Sequence, residues 1–575
     1  MKHLNDRVRV WFIGFLFILV SSQDVHAAVD AAQATGGEIR QEQDLERTRL
    51  LEIKVRKTIP AEVTEAAPRL AESGSAPRTV QVTEIQIEDS RILTPEELAK
   101  IIVEYQKRDL TLDQMQEVAD RITDAYRKKG YITSRAYLPV QSIKDGVLVI
   151  KVLEAKTGNV EIRGNRYFKT KELRRDLNAQ PGGAFDFSAL QRSLVYINEH
   201  PDRKAKAVLV PGKEPGTTDV IVQMEEQRPI HVGFEYDNYG SRYISQNRYS
   251  LFFEHDNLLG FEDLFYLKGQ ISDESRLVMQ QVRYVLPVNR TWDLGLYAVN
   301  SKIKLGEEFD DLQAEGDAQI FGLFTAHRLI KTETNDLRLS VGFDYKSVRN
   351  KILGEQLSKD ELRVLKTGLD WDVEDQWGRN IVAVSMDNGF SDIFGASESK
   401  DDEASRAGAG ARFDKGSFTY FRLQATPKET SLLWKNIAQW SNHNLTSSEQ
   451  FQAGGALSVR GYPPAEHSGD SGIYSALELS VPLYFIPREK SVPFAREELL
   501  YDTLRFVLFY DIATTHLNKP LSGEEKNETL RGYGFGMRFN LRDDLSLRCE
   551  VGYPAAGKPT DGKSAHPWVE FTYRF

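Results

Sequence analysis

HPWVEFTYRF, His566–Phe575, places Val569, Phe571, Tyr573 and Phe575 at every second position, with Glu570, Thr572 and Arg574 between them. Successive side chains of an extended chain point to opposite faces, so one face of this segment is apolar and aromatic and the other polar. Such a strand suits a wall with hydrocarbon on one side and water on the other. An amphipathic edge strand of a soluble β-sandwich has the same texture, and the stretches upstream decide between the two. Ile230–Asp237, Ser250–Glu254, Leu264–Gly269, Val278–Val285, Trp292–Val299, Leu337–Tyr345, Phe418–Gln424, Thr503–Asp511 and Tyr533–Phe539 repeat the alternation, with turn residues between them. At roughly 20 residues per strand and connector, the last ~350 residues hold on the order of 16 strands, an even number as bacterial barrels require. The expected fold class is mainly β: a transmembrane antiparallel β-barrel of about 16 strands over residues 229–575, preceded by two α+β modules and an N-terminal helix.

Composition is consistent with this. A chain of 575 residues is too long for one core. Its mean hydropathy of −0.44 has a soluble look, and the one strongly apolar run, Val10–Val20, is too short to cross a bilayer as a helix. A barrel hides its apolar residues at alternate positions, so neither observation excludes it. The net charge of −10 argues against a nucleic-acid partner. Cys549 is the sole cysteine, which leaves no internal disulfide.

Lys2, Arg7 and Arg9 precede the apolar run, and Val25-His26-Ala27 offers small residues for cleavage, which together predict a signal peptide over residues 1–27. No cysteine follows it, as a lipoprotein signal would need. In residues 28–78, Gly36–Lys57 has helix-forming composition with charges around most of its surface, so it cannot lie against lipid. It is either a solvated linker helix or a plug in an aqueous lumen. Thr58–Arg78, with Pro60, Pro68, Gly74 and Pro77, reads as a tether.

Residues 79–155 predict strand, helix, helix, strand, strand. Thr94-Pro95-Glu96-Glu97 and Thr111-Leu112-Asp113-Gln114 start the helices. Leu112, Met115, Val118, Ile122 and Ala125 share one face of the second helix, and Gly130 ends it. Strands follow at Tyr131–Val140 and Val147–Leu153, hinged at Lys144-Asp145-Gly146. Residues 156–228 repeat that order, which makes the pair a tandem repeat. The run GYITSRAYLPVQSIKDGVLVIKVLEA, Gly130–Ala155, resembles the first POTRA domain of two-partner secretion transporters in its GY start, P-x-Q turn and DG hairpin.

The segment Asn442–Gly472 is too long for a hairpin turn and is therefore a functional or a disordered loop. Its Val459-Arg460-Gly461-Tyr462 resembles the motif at the tip of the sixth surface loop of POTRA-barrel proteins, which folds back into the barrel. An arginine inside a low-dielectric wall needs a carboxylate able to accept its planar fork. Asp511 is the expected partner: Leu504, Phe506, Leu508, Tyr510 and Ile512 form the apolar face of its strand, which turns Phe509 and Asp511 to the lumen. Glu478 is a second candidate, because Ile473, Leu477, Leu479 and Val481 take the lipid face of its strand. The family pattern on the Asp511 wall is F-x-D-x-G, and Ala513 departs from it, which puts in question how closely the loop tip approaches. The terminal Phe575, with Tyr573 and Phe571, resembles the signal by which outer-membrane barrels are recognised for assembly.

Other motifs lead elsewhere and fail on context. Gly557–Ser564 (GKPTDGKS) has P-loop spacing, but Pro567 and an alternating strand follow where a helix N-terminus would have to hold phosphate. Gly469–Gly472 (GDSG) resembles a protease nucleophile segment without its next glycine, and His467 is too local to complete a triad. Gly532, Gly534 and Gly536 alternate within a strand and mark close packing or bending. The acidic stretches Gly306–Asp317 and Glu398–Glu403 read as solvated rims. No catalytic residue, cofactor or metal is expected.

The resemblance spans about Val80 to Phe575 and is to the TpsB transporters of two-partner secretion, the haemolysin and filamentous-haemagglutinin exporters. It implies a Gram-negative outer-membrane pore, with POTRA domains in the periplasm, that passes one large TpsA-type exoprotein to the surface without ATP. The POTRA domains would receive that partner's N-terminal secretion domain. Outer-membrane lipids and the barrel assembly machinery are the other implied partners. The alternative is an assembly factor that inserts other barrels, which shares POTRA repeats and the VRGY motif.

Overall fold

The computed structural model describes residues 63–65 and 79–575, apart from 144, 178, 215, 333 and 543. The expected signal peptide, the helix expected at Gly36–Lys57 and most of the expected tether lie outside the described residues. The chain divides into one compact unit over Ile59–Pro229 and another containing Ile230–Phe575.

The first unit holds two α+β modules. In the first, Glu84–Glu88 pairs parallel with Val147–Leu153, which pairs antiparallel with Arg135–Tyr137. The helices Pro95–Ile102 and Leu112–Lys128 both begin with a complete capping box, Thr94 with Glu97 and Thr111 with Gln114. Met115, Val118, Ala119, Ile122 and Tyr126 of the longer helix join Leu148, Ile150 and Val152 of the sheet in one core. Leu112 is exposed instead: it begins the helix at the rim of the buried face, where Ala119 and Tyr126 complete the stripe.

Two departures from the sequence reading have physical causes. The strand expected over Tyr131–Val140 shrinks to Arg135–Tyr137. Beyond it lies Pro139, which has no amide hydrogen to donate to a ladder. There the Gln141 side chain takes over the strand's part, donating to the Val149 carbonyl at 2.7 Å and accepting from its amide at 2.9 Å. This gives the P-x-Q turn its chemical purpose. The first strand is also split, since Thr79–Val82 forms a separate ribbon with Arg108–Thr111.

In the second module Lys156–Arg163 pairs parallel with Thr217–Glu226, which pairs antiparallel with Arg203–Pro211. Val63–Glu65 adds a short parallel strand at Ala207–Leu209. Helices Thr170–Asp176 and Phe187–Ile197 supply Leu173, Leu190, Leu194 and Ile197 to its core.

One device occurs in both modules. Glu154, after the last strand of the first, accepts from the amides of Arg91 and Ile92 at 2.6 and 2.7 Å and from the Tyr126 hydroxyl at 2.7 Å. Burial pushes the Tyr126 hydroxyl well above the ordinary phenol range, so it remains a donor. Glu226, ending the second module's last strand, accepts from the amides of Arg166 and Tyr167, each at 2.6 Å. Each carboxylate thus ties down the loop that follows its module's first strand. Glu226→Ala is expected to weaken its module by about 1.5–3 kcal/mol, the scale of hydrogen bonds to a charged group. Limited proteolysis should show faster cleavage within residues 156–228 and an unchanged barrel.

The second unit is a closed barrel of sixteen strands, running from Ile230–Asp237 to His566–Arg574. The last strand closes on the first antiparallel, Gly233 opposite Arg574 and Asp237 opposite Glu570. In the terminal strand Trp568 and Glu570 are buried toward the inside, and Tyr573 and Phe575 are exposed outside. Leu251, Leu267, Phe321, Leu323, Trp371, Trp434, Leu477, Leu508, Tyr510 and Phe535 continue that exposed apolar surface around the wall. Among the described residues no helix is long and apolar enough to cross a membrane.

The long connections 305–314, 390–412, 442–470, 517–526 and 555–565 leave from one end of the barrel. The other end carries short turns except for the connection 483–503, and the end with the greater share of long loops is the extracellular one. The inner face is built from charges. Lys268 meets Glu235 at 2.7 Å, and Arg248 meets Asp237 at 2.7 Å, all four nearly fully buried.

Candidate functional site: a loop latched inside the barrel

The connection 442–470 enters the barrel from its extracellular end. Leu445, Glu449, Phe451, Val459, Arg460, Tyr462 and Asp470 are all buried. Phe451–Ala453 and His467–Gly469 pair antiparallel, so the loop descends and returns as a small hairpin. Gly454 and Gly455, with φ of +106° and +92°, turn the chain at the tip in a region that side-chain-bearing residues rarely adopt. Asp470 fixes the neck, accepting from the amides of Leu445 and Asn518 at 2.9 and 2.8 Å and pairing with Arg406.

At the tip, Arg460 donates from Nε and Nη2 to the two oxygens of Asp511 at 2.8 and 2.7 Å, and its own amide reaches Asp511 at 3.1 Å. Nη1 lies 3.0 Å from Glu550 and 3.1 Å from Glu478. The guanidinium stacks on the Phe509 ring, 3.4 Å from its centre. Arg538 bridges Glu550 and Glu478 at 2.6 and 2.8 Å, and Lys435 reaches Glu478 at 3.1 Å. Arg548 stands 4.0 Å from Glu550 and 3.8 Å from Glu570, so four cations face four carboxylates in a buried and electrically balanced cluster, the condition under which charge is tolerated away from water. The fork geometry is available to arginine alone, because lysine offers a point charge.

The rest of the motif places the tip. Val459 and Tyr462 pack with Phe451, Ala453, Tyr474, Ala476, Ala513 and Leu530. The Tyr462 hydroxyl donates to the carbonyl of Ala556, and the Trp568 indole donates to the carbonyl of Arg460 at 2.8 Å. Gly461 lies so close to the wall that a Cβ there would stand 2.5 Å from the Tyr553 carbonyl, and a Cβ on Gly552 would stand 2.2 Å from the Arg460 carbonyl oxygen. The tip thus approaches the wall closely with alanine at 513: Ala513 joins the apolar packing, and the close backbone approach falls at Gly552.

The structure brings Val459, Arg460, Gly461, Tyr462, Phe509, Asp511 and Glu478 into one site. Glu550, Arg538, Lys435 and Arg548 complete it and were not found by sequence reasoning. Their signal was the same alternation: in Leu545–Pro554 the apolar Leu545, Leu547, Cys549 and Val551 alternate with Arg548 and Glu550, and in Asn527–Leu541 Tyr533, Phe535, Met537 and Phe539 alternate with Arg538. Phe571, Tyr573 and Phe575 lie apart on the outer face; Tyr573 packs edge-on against Phe575 at 4.6 Å, and the Phe575 amide donates to the Val232 carbonyl.

Comparisons with known proteins agree with this architecture. The family model described as haemolysin secretion/activation protein ShlB/FhaC/HecB matches residues 216–538, and that of the ShlB-type POTRA domain matches residues 80–155. The heme/hemopexin transporter protein HuxB of Haemophilus influenzae is 22% identical over 541 residues, covering 90% of this chain and 93% of its own. The solved structure of CdiB from Escherichia coli superposes with a TM-score of 0.73 at 20% identity, over 95% of this chain and 99% of that one. BamA from Haemophilus ducreyi, lacking POTRA domains 1–3, shares the fold more distantly, with a TM-score of 0.52 at 14% identity over 86% of this chain and all of that one.

Proposed function

Because this chain belongs to the ShlB/FhaC/HecB family of haemolysin secretion/activation proteins, the outer-membrane transporters of two-partner secretion, we propose that it is a passive pore dedicated to one large exoprotein of haemolysin or adhesin type. The observation that carries this reading is the Arg460-centred latch. It holds a long loop inside the lumen through side-chain contacts, which can be exchanged, and not through the wall's own backbone ladder.

The two periplasmic modules receive the partner's N-terminal secretion domain. Among the described strands, the outer edges of Glu84–Glu88 and Arg135–Tyr137 have no further sheet partner, and an extended chain can add to such an edge by main-chain hydrogen bonds. The periplasm holds no ATP, so transport draws on folding of the emerging chain outside the cell, which prevents its return. The outer-face aromatics Phe571, Tyr573 and Phe575 meet the lipid and present the signal to the barrel assembly machinery. Deleting Phe575 is expected to lower the amount of heat-modifiable barrel in the outer membrane severalfold without changing its synthesis.

Comparing the secreted and outer-membrane proteomes of a deletion strain and its parent tests the exporter reading. Loss of one very large exoprotein from the outside, with other barrels at parental levels, is the expected result. A joint fall of many outer-membrane barrels would instead identify an assembly factor, the reading that the distant likeness to BamA favours.

A further inference from the structure

The lumen loop has a second charged anchor, on the limb that precedes Arg460. Glu449 ends the short helical turn Ser447–Glu449 on the descending limb and is 1% exposed. One carboxylate oxygen accepts from Lys346 at 2.6 Å and the other from Lys415, while its backbone carbonyl accepts from the Gln439 side chain at 3.0 Å. Lys346 stands on strand Asn335–Ile352 and Lys415 on strand Phe413–Thr426. Between those strands, Glu355–Asp375 contributes Lys366, which pairs with Asp344 at 3.3 Å, and Gly378–Gly389 contributes Asp387, 3.2 Å from Lys415.

The two anchors use separate sectors of the wall. The Glu449 carboxylate is held by Lys346 and Lys415 on strands 335–352 and 413–426, and the two strands between them carry Lys366 and Asp387, which pair with Asp344 and Lys415. Arg460 is held by carboxylates further round the wall, Glu478 on Ser471–Pro482, Asp511 on Leu504–His516 and Glu550 on Leu545–Pro554. Beyond its neck, where Asp470 pairs with Arg406 of another connection, the loop is a strap pinned to the wall at two places, with opposite charges at its two pins.

Each sector also keeps partners of its own. If Glu449 leaves, Lys415 retains Asp387 and Lys346 gives up its ion pair; if Arg460 leaves, Glu478 and Glu550 retain Arg538 and Lys435, and Asp511 gives up its ion pair and is reached by the water that replaces the loop. Breaking a buried pair is severe when it strands a lone charge, and here much of the wall stays compensated. Both pins can therefore be released and remade without the barrel coming apart.

We infer that Glu449 is a second positioning residue of the transport loop, and that the lumen clears only when both its lysine pair and the Arg460 cluster let go. The inference rests on the pore reading above. Its test uses the purified full-length protein alone in planar lipid bilayers, so its failure is distinguishable from failure of the exporter assignment, which is read in cells.

Glu449→Gln keeps the side-chain shape and removes the charge. It should raise the time spent in high-conductance states about tenfold, the scale set by losing a charge-assisted hydrogen bond, with the barrel's heat-modifiable migration unchanged. Lys346→Gln is a milder variant that leaves Glu449 paired with Lys415 and should move conductance in the same direction. Combining Glu449→Gln with Lys346→Gln should add little to Glu449→Gln, since both act on one pin. Combining Glu449→Gln with Arg460→Ala should open the pore further than either change alone. Conductance like the parent's in both single variants would overturn the inference. So would a double Glu449→Gln, Arg460→Ala variant that behaves like Arg460→Ala. A role confined to packing would lower the temperature of the heat-modifiable shift and leave conductance unmoved, and this result too would overturn it.

Discussion

Replacing Arg460 with alanine is expected to leave a folded barrel that exports its partner at less than about a tenth of the parental level. The side chain makes two hydrogen bonds to Asp511, ion pairs with Glu478 and Glu550, and a stack on Phe509, all in a buried setting. Removing one member of a buried charge cluster costs about 3–5 kcal/mol when the remainder stays buried. Here the remainder need not stay buried, because the loop can lift and let water reach Asp511. That cost is small beside a wall of sixteen strands closed by backbone ladders, so the loop moves and the wall stands. Arg460→Lys should recover only part of the activity, since an ammonium cannot span Asp511, Glu478 and Glu550 with a planar fork. The measurement is exoprotein in the medium, normalised to heat-modifiable barrel in the outer membrane. Parental export by Arg460→Ala would remove the role assigned to the loop.

How far the sequence carried this picture depended on which physical signal each part leaves. Wall strands leave a period of two, and the alternation in His566–Phe575 has its counterpart in the exposed Tyr573 and Phe575 and the buried Trp568 and Glu570. The same rule turned Phe509 and Asp511 inward, and the structure has both on Arg460. Glu550 obeys the rule as well, in a strand where charges at Arg548 and Glu550 flank a cysteine and blur the apolar face. Glu449 leaves no periodic signal: it lies in a loop, and its lysine partners are 103 and 34 residues away. Only the closed sheet brings those three together. The short strand Arg135–Tyr137 marks another limit, since Gln141 continues the pairing through its side chain, where backbone propensities have nothing to report.

A valine at position 552 should disable the same site with every charged residue still in place. Gly552 lies in the wall strand beneath the loop tip, where even a Cβ would stand 2.2 Å from the Arg460 carbonyl oxygen and 2.4 Å from its carbon. Those are backbone atoms, so no rotamer change relieves the clash. The tip must retreat by about 1 Å to restore ordinary van der Waals contact. Hydrogen bonds weaken steeply past about 3.2 Å, so that retreat carries Nε and Nη2, now 2.8 and 2.7 Å from Asp511, out of good range. Valine favours extended backbone, so the strand itself should pair as before and the barrel should assemble. Export should then fall to the level of Arg460→Ala, and combining the two changes should lower it no further, because both act by lifting one tip. Gly269→Val provides the control: a Cβ on Gly269 meets nothing within 4 Å, so this wall substitution should export as the parent does. If Gly552→Val also exports normally while Arg460→Ala does not, the arginine acts through its charge alone, and close seating of the tip against the wall is not what transport requires.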